Sequence, residues 1–333
     1  MATPIPELIG SPLPAISVIL PVLNEESHLE GAVLSVLSQD YRGPLEIILA
    51  LGPSRDRTNE IATKLASQDN RVKLIDSPTG KTAAGLNLAL AASKSPVVVR
   101  VDGHAQIPNN YISLIVEILN KTGAVNVGGV MAAVGTTAFE RAVAGAMRSP
   151  LGVGASRFHT GGEAGEVDTV YLGAFRREAL VAIGGFDERF TRAQDWELNF
   201  RLRENGGVIY FDPRLHVTYR PRSSVGALAK QYFEYGRWRR VVSRRHSGTI
   251  NYRYLAPPFA LLGFSASLVL GILLSSIFFI PALVYLLFVV LASLKISTSI
   301  GEYLLLLLVI PTMHFAWGAG FISSPKTLVP ASQ

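Results

Sequence analysis

Asp102 and His104 stand two positions apart in "RVDGHAQIP", directly after three valines that read as a buried strand. A carboxylate and an imidazole can both ligate a divalent cation, and such a mixed O/N pair suits Mn²⁺ or a similar ion better than a pure Mg²⁺ cage. An Asp-Gly turn closing a strand is the plainer reading of the same residues. Asp195 lies in "TRAQDWELNFRLRENGG" at the expected start of a helix. There the macrodipole favours the charged carboxylate and should keep its pKa low. Such a group can take the proton from an attacking hydroxyl, or it can simply cap the helix. His159, His216, His246 and His314 are scattered and read as structural or solvated. The chain has no cysteine, which excludes disulfides and thiolate metal sites or nucleophiles.

These residues need a scaffold. "AISVILPVLNEE", "LEIILAL", "RVKLIDS" and "SPVVVRVDG" are apolar, β-branched runs alternating with "SHLEGAVLSVLSQ", "NEIATKLASQ" and "TAAGLNLALAAS", which carry helical spacing. Ser27 and Glu30 fit a capping box for the first helix. The alternation predicts an α/β fold with a doubly wound, mostly parallel sheet, in which ligands bind beyond the carboxyl ends of strands. Asn24 with Glu25, Ser54 to Thr58, and Asp102 to His104 all fall at such ends. No GxGxxG follows the first strand, so a dinucleotide-binding reading loses its main support. Residues 144–186 are rich in Gly and small side chains and should contain flexible loops lining a site. Leu198, Leu202 and Trp196 are expected on one side of the Asp195 helix, with "GVIYF" as a short strand after it.

From about Leu255 to Ile322 nearly every residue is apolar. About forty residues, 256–294, amount to about 60 Å of helix, twice a hydrocarbon core of about 30 Å. This predicts two spans joined by a turn near residues 275–280. After a polar break at 295–302, residues 303–322 supply a third span. A re-entrant pair fits the same pattern.

Arg237, Arg239, Arg240, Arg244, Arg245 and Arg253 precede the first span, and Leu228, Tyr232, Tyr235 and Trp238 fall close to one helix face among them. That reads as a basic interfacial helix facing anionic membrane lipids on the cytoplasmic side, with an ordinary helix packed on the domain as the alternative. No nucleic-acid-binding motif accompanies the charge. The N-terminus lacks the pattern of a secretory signal, so the catalytic domain is expected to be cytoplasmic and the protein multi-pass in the cell membrane. Three crossings would then put the C-terminus outside. The expected organisation is an N-terminal extension (1–15), a cytosolic domain (16–222), a basic interfacial segment (223–253), a membrane domain (254–323) and a tail (324–333).

Four segments in order, "SVILPVLNEE", "GPSRDRT" with its Ser-x-Asp-x-Thr, "VDGHA" in place of Asp-x-Asp, and "IGGFDERFTRAQDWELNFRL", resemble the inverting family-2 glycosyltransferases with the A-type fold. "EYGRW" is similar to that family's Gln-x-x-Arg-Trp motif. Membrane-anchored exopolysaccharide enzymes of the succinoglycan type carry a similar Asp-x-His-Ala strand end. The resemblance implies transfer of a sugar from a nucleotide-sugar donor, with Mn²⁺ or Mg²⁺, to a lipid-linked saccharide or glycan acceptor. Asp195 would be the catalytic base. Pro21, Asn24, Glu25, Asp56, Lys81, Asp102, Arg237 and Trp238 would border the donor, with Arg237 and Trp238 also suited to the acceptor. Asp102 and His104 would hold the metal. Leu51 and Gly52 stand where family members have the Asp that reads the base, Gln194 replaces the usual Glu, and Glu234 replaces Gln. A polyprenyl-phosphate glycosyl synthase and a non-catalytic scaffold of a polysaccharide assembly are the alternative readings.

Overall fold

The computed structural model describes residues 13–329. Most of the N-terminal extension, with the reading of it as no signal, and the last four residues of the tail lie outside the described residues. The strands are β1 (Ile16–Val22), β2 (Leu45–Leu51), β3 (Val72–Asp76), β4 (Val97–Arg100), β5 (Asn126–Ala133), β6 (Gly165–Glu166), β7 (Tyr171–Arg176) and β8 (Ile209–Tyr219). The helices are α1 (Leu29–Leu37), α2 (Thr58–Gln68), α3 (Thr82–Ala92), α4 (Tyr111–Thr122), α5 (Ala138–Met147), α6 (Pro150–Val153), α7 (Arg157–Thr160), α8 (Arg177–Ala182), α9 (Gln194–Glu204), α10 (Val225–Arg245), α11 (Tyr252–Leu273), α12 (Ile280–Ile296) and α13 (Ile300–Ser323). They form two units. Residues 1–132 and 161–219 make an α/β unit, and residues 133–160 group with 220–333 in a helical unit. The segment 133–160, expected inside the 16–222 domain, therefore belongs with the C-terminal helices.

In the α/β unit one sheet runs in the order β3-β2-β1-β4-β7-β5-β8-β6. β1, β2, β3 and β4 pair in parallel, while β7 is antiparallel to β4 and β5, and β6 to β8. The two-residue period of a strand sorts the side chains between two cores. Val18, Leu20, Ile47, Leu49, Val97 and Val99 pack on one face with α1, α2 and α4. Ile19, Ile48, Ala50 and Val98 pack on the other with α3, α8 and α9. After β1 the chain moves outward to β2, then returns to β4 on the other side, so the loops after β1 and β4 diverge. That divergence opens the crevice at the carboxyl ends.

Three local expectations change. Ser27 and Glu30 form no capping box, because the N–H groups of His28 and Leu29 both donate to the Glu25 carbonyl at 2.9 Å, and α1 starts at Leu29 without a side-chain cap. "GVIYF" is the start of an eleven-residue strand, β8. On α9, Leu198 and Leu202 are buried, whereas Trp196 turns to another face and stacks on Phe200 one turn on.

In the helical unit α5 begins with a capping box, Thr137 with Glu140. Three apolar segments, Tyr252–Leu273, Ser276–Ile296 and Ile300–Ser323, are each long and apolar enough to cross a membrane. α11 and α12 form a hairpin through a short 3₁₀ turn (Ser276–Phe279), locked where Ser267 Oγ accepts from Ala282 N–H at 3.0 Å and donates to the Phe278 carbonyl. α10 differs from a helix lying free on headgroups. Its Leu228, Tyr232 and Trp238 are buried, Tyr235 is exposed, and its stripe packs on α13. Two glycines let the backbones touch: a Cβ on Gly236 would lie 2.0 Å from the Trp317 carbonyl oxygen, and one on Gly320 2.0 Å from that of Phe233.

Candidate active site

The loops after β1 and β2 are tied together by three consecutive N–H groups. Those of Asn24, Glu25 and Glu26 donate to Ser54 Oγ (3.1 Å), Thr58 Oγ1 (2.7 Å) and Asp56 Oδ2 (3.3 Å) respectively. In return Arg55 N–H donates to Asn24 Oδ1 at 2.8 Å and Arg57 N–H to Glu26 Oε2 at 2.9 Å. Asn24 is in the left-handed region, φ 56°, which Asn tolerates better than most residues. The Ser-x-Asp-x-Thr spacing thus makes a clamp that sets the shape of the first loop. Asp56 also accepts from the Thr58 hydroxyl and N–H, and these bonds hold its carboxyl below the usual range. Asp56, expected to border the donor, has an evident loop-forming role.

Glu25 is thereby fixed beside the β4 loop. Its side chain lies across Gly103, where an added Cβ would meet Glu25 Cγ at 3.1 Å. His104 Nδ1 and Glu25 Oε1 are 2.8 Å apart. Asp102 turns instead to Arg100, whose Nε donates to Asp102 Oδ1 at 2.9 Å. The same guanidinium donates through Nη1 to Asp195 Oδ1. Arg100 is 4 % exposed, Asp102 18 % and Asp195 31 %. One buried cation at the end of β4 thus joins the two carboxylates singled out in the sequence. Among the described residues no group of three or more His, Asp or Glu is close enough to hold a metal ion by itself.

The electrostatics of Asp195 reverse the expectation from its helix position. Burial pushes its pKa above the ordinary value and Asp102 adds to the rise, while Arg100 pulls it down. The macrodipole at the second position of α9 does not outweigh desolvation. Burial alone would lower the pKa of Arg100, but Asp102 and Asp195 hold it above its usual value.

The segment that delivers Asp195 is itself braced. Arg201 donates to the carbonyls of Ile183 (2.7 Å) and Gly185 (2.8 Å) and pairs with the buried Glu197 at 2.7 Å. Asn87 exchanges two 2.8 Å hydrogen bonds with the backbone of Phe186. Ala193, which precedes α9, sits at φ 57°, a left-handed conformation costing of order 1 kcal/mol for a residue with a Cβ. Gln194 beside it is buried.

Beyond the ends of β2 and β3, Leu23, Gly52, Pro53 and Gly80 crowd together. A Cβ on Gly52 would lie 3.0–3.1 Å from Leu23, Gly80 and the Val22 carbonyl. Any side chain at Gly52 would require these neighbours to give by a few tenths of an ångström. Lys81, exposed, follows at the start of α3, and Pro21 is half-buried near the end of β1. The structure therefore brings Asn24, Glu25, Asp56, Asp102, His104 and Asp195 into one system of loops in the α/β unit. Arg237 and Trp238 belong to the helical unit, where Arg237 pairs with Glu234 at 2.8 Å and lies over Phe233, and Trp238 is buried. Arg100 was missed in the sequence; its one signal is a charge ending an otherwise apolar strand.

A family model described as "Glycosyl transferase family 2" matches residues 17–184. The chain is 34 % identical over 242 residues to "Succinoglycan biosynthesis protein ExoA" of Rhizobium meliloti (strain 1021), covering 72 % of this chain and 73 % of that one. Among solved structures, it is similar to the mannosyltransferase PcManGT from Pyrobaculum calidifontis in complex with GDP-Man and Mn²⁺, with a TM-score of 0.67 and 20 % identity over 96 % of this chain and 88 % of that one. S. aureus TarS in complex with UDP gives a TM-score of 0.52 and 17 % identity, over 74 % and 72 % of the two chains. The mixed sheet, parallel across β3-β2-β1-β4, has the A-type glycosyltransferase fold, and three apolar helices follow it. On the family match and the extended likeness to its relatives, the chain belongs to glycosyl transferase family 2 and is a glycosyltransferase.

Proposed function

We propose that the protein transfers one sugar from a nucleotide-sugar donor, with inversion, to a lipid-linked acceptor at the cytoplasmic face of the membrane, in polysaccharide or glycolipid synthesis. The observation that carries this reading is the bridge at the end of β4: Arg100 holds Asp102 and Asp195 on one guanidinium. Asp195 is the base. It takes the acceptor proton as the acceptor oxygen bonds to the anomeric carbon, while the bond from that carbon to the diphosphate breaks and its electron pair leaves with the diphosphate. Unlike the paired carboxylates of hydrolases, this displacement needs no acid on the leaving group. A pKa raised by burial strengthens Asp195 as a proton acceptor, while the Arg100 guanidinium favours its charged form.

The residues present fit a divalent cation. His104 Nδ1–H donates to Glu25, the arrangement that fixes the tautomer presenting Nε2 to a metal. Asp102 adds a carboxylate, and a cation that also binds a diphosphate needs only one or two protein ligands. The α/β unit carries seventeen Lys and Arg against twenty-two Asp and Glu, a net −5, so an anionic donor needs positive charge supplied. Asp102 and His104 would hold Mn²⁺ or Mg²⁺, which supplies Lewis-acid stabilisation to the departing diphosphate.

The test is release of nucleoside diphosphate from a panel of nucleotide sugars by the detergent-purified protein, with lipid extract as acceptor source and with Mn²⁺, Mg²⁺ or chelator. Asp195→Asn should lower turnover about 10²- to 10⁴-fold with donor binding retained, and His104→Ala should raise the metal concentration required. Near-wild-type turnover in Asp195→Asn would remove the base and favour an acceptor that is itself a phosphate, as in a polyprenyl-phosphate glycosyl synthase. Donor binding without release under any condition would favour the scaffold.

A further inference from the structure

Length and hydropathy give α13 the same standing as α11 and α12, but its contacts within the helical unit do not. Its 24 residues, about 36 Å of helix, are fastened at both ends to elements that carry charged residues. At the start, Glu302 accepts from Arg141 of α5 at 3.4 Å. In the middle, His314 Nε2 meets the Leu151 carbonyl of α6 at 3.1 Å. Near the end, the backbones of Trp317 and Gly320 press on Gly236 and Phe233 of α10. At the end, Ser324 O accepts from Arg244 at 2.9 Å and Ser324 Oγ donates to the Arg237 carbonyl at 2.9 Å.

α10 carries Lys230, Arg237, Arg239, Arg240, Arg244 and Arg245, too many charges for hydrocarbon. α5 and α10 each begin within six residues of the end of a sheet strand, too short a link to cross a bilayer. A helix bound to α10 near one end, and to α5 at the other, therefore has both ends on one side. The aromatic residues at the C-terminal end of α13 repeat the message. Tyr254, Trp317 and Phe321 stack in succession, with Arg239 3.9 Å from the Tyr254 ring and Arg240 5.0 Å from that of Phe321. Aromatic rings held between arginines are what a headgroup layer favours. Here they join the end of α13 to the first turn of α11, where the chain enters the apolar hairpin.

We infer that α13 lies in the plane of one leaflet, and that α11 and α12 alone penetrate the bilayer as a hairpin. The partner of the exposed α13 face is the acyl region of that leaflet, met by Ile300, Leu304 and Leu308 at i, i+4 and i+8, which are 75, 59 and 49 % exposed. The hairpin returns to its side of entry, since Tyr254 in α11 meets Arg239, and Ile296 at the end of α12 would touch a Cβ on Gly145 of α5 at 3.0 Å. Its tip, Leu273 to Ile280, contains no charged residue. The basic segment and the C-terminus are then on the same side, not on opposite sides as three crossings require.

The cysteine-free chain makes the test direct. Arg245→Cys and Lys326→Cys, both at exposed positions, are made singly in the full chain and treated with a membrane-impermeant maleimide, in intact cells and after the membrane is opened. The two positions should behave alike, and for a cytoplasmic basic segment both should label only after opening. Labelling of one position but not the other in intact cells would overturn the inference. If Lys326→Cys proves unreactive in both states, protease digestion of a C-terminal epitope tag decides in the same way: on the side of Arg245 supports, on the far side overturns. Neither readout depends on sugar transfer.

Discussion

Arg100 sets the electrostatics of Asp195, the proposed base. A buried guanidinium shared by two carboxylates stabilises both charges, and leaving either carboxylate without it exposes the desolvation cost. The pKa of Asp195 is already raised by burial. A base works ionised, so activity is lost as pH falls through that pKa, and the acid limb should lie above the range of an ordinary aspartate. Arg100→Gln removes the downward pull, so the limb should move further toward neutral pH while turnover on the alkaline plateau falls less. Rates of diphosphate release across pH 4 to 9 check this. An unchanged limb in Arg100→Gln would mean that Asp195 is not the titrating base. Asp102 and Asp195 were legible in the sequence because each sits at an element boundary in a recognisable run. Arg100 was not, because its link to Asp195 spans 95 residues and depends on how α9 docks beside β4.

At the scale of elements, loop shape is set by side chains that accept backbone N–H groups. Thr58 is buried, and its hydroxyl meets Glu25 N–H and Asp56 together. Thr58→Val keeps the shape and leaves that N–H without its acceptor, which should cost about 1–3 kcal/mol and raise the donor KM. Thermal unfolding and donor titration measure the two effects, and a change in neither would show the clamp to be incidental. α13 offers a packing counterpart. Gly320→Ala places a Cβ against the Phe233 carbonyl, and overpacking of this kind costs about 1–3 kcal/mol. It should lower the melting temperature in detergent, whereas Gly301→Ala, where a Cβ meets nothing, should not. Alternation of apolar runs made β1 to β4, the parallel half of the sheet, readable in advance, but not β5, β6 or β7. The clamp was visible only as a polar cluster, since the N–H groups it binds carry no sequence signature. The α13 arrangement was hidden because hydropathy does not distinguish a helix across a bilayer from one packed along it.

Across the whole molecule, the net charge of +6 divides into −5 on the α/β unit and +11 on the helical unit, where fourteen Lys and Arg face three Asp and Glu. Glu140 is bonded to Arg220, Glu234 to Arg237 and Glu302 to Arg141, so the unit's own carboxylates cannot neutralise the rest. In the proposed reaction an anionic nucleotide sugar meets the acidic unit against repulsion, while a lipid-linked acceptor with a phosphate or diphosphate would be drawn by the charge of the basic one. Long-range interactions of this kind reach about 30 Å at 0.01 M salt and about 10 Å at 0.1 M. Raising monovalent salt across that range, with divalent metal held constant, should therefore lower the donor KM by screening repulsion and raise the acceptor KM by screening attraction. Each change should be several-fold, as for other steered encounters. Initial rates with donor and acceptor varied in turn would measure both slopes. An acceptor KM indifferent to salt, beside a donor KM that still falls, would identify the acceptor as an uncharged glycan and leave the basic unit to the bilayer alone.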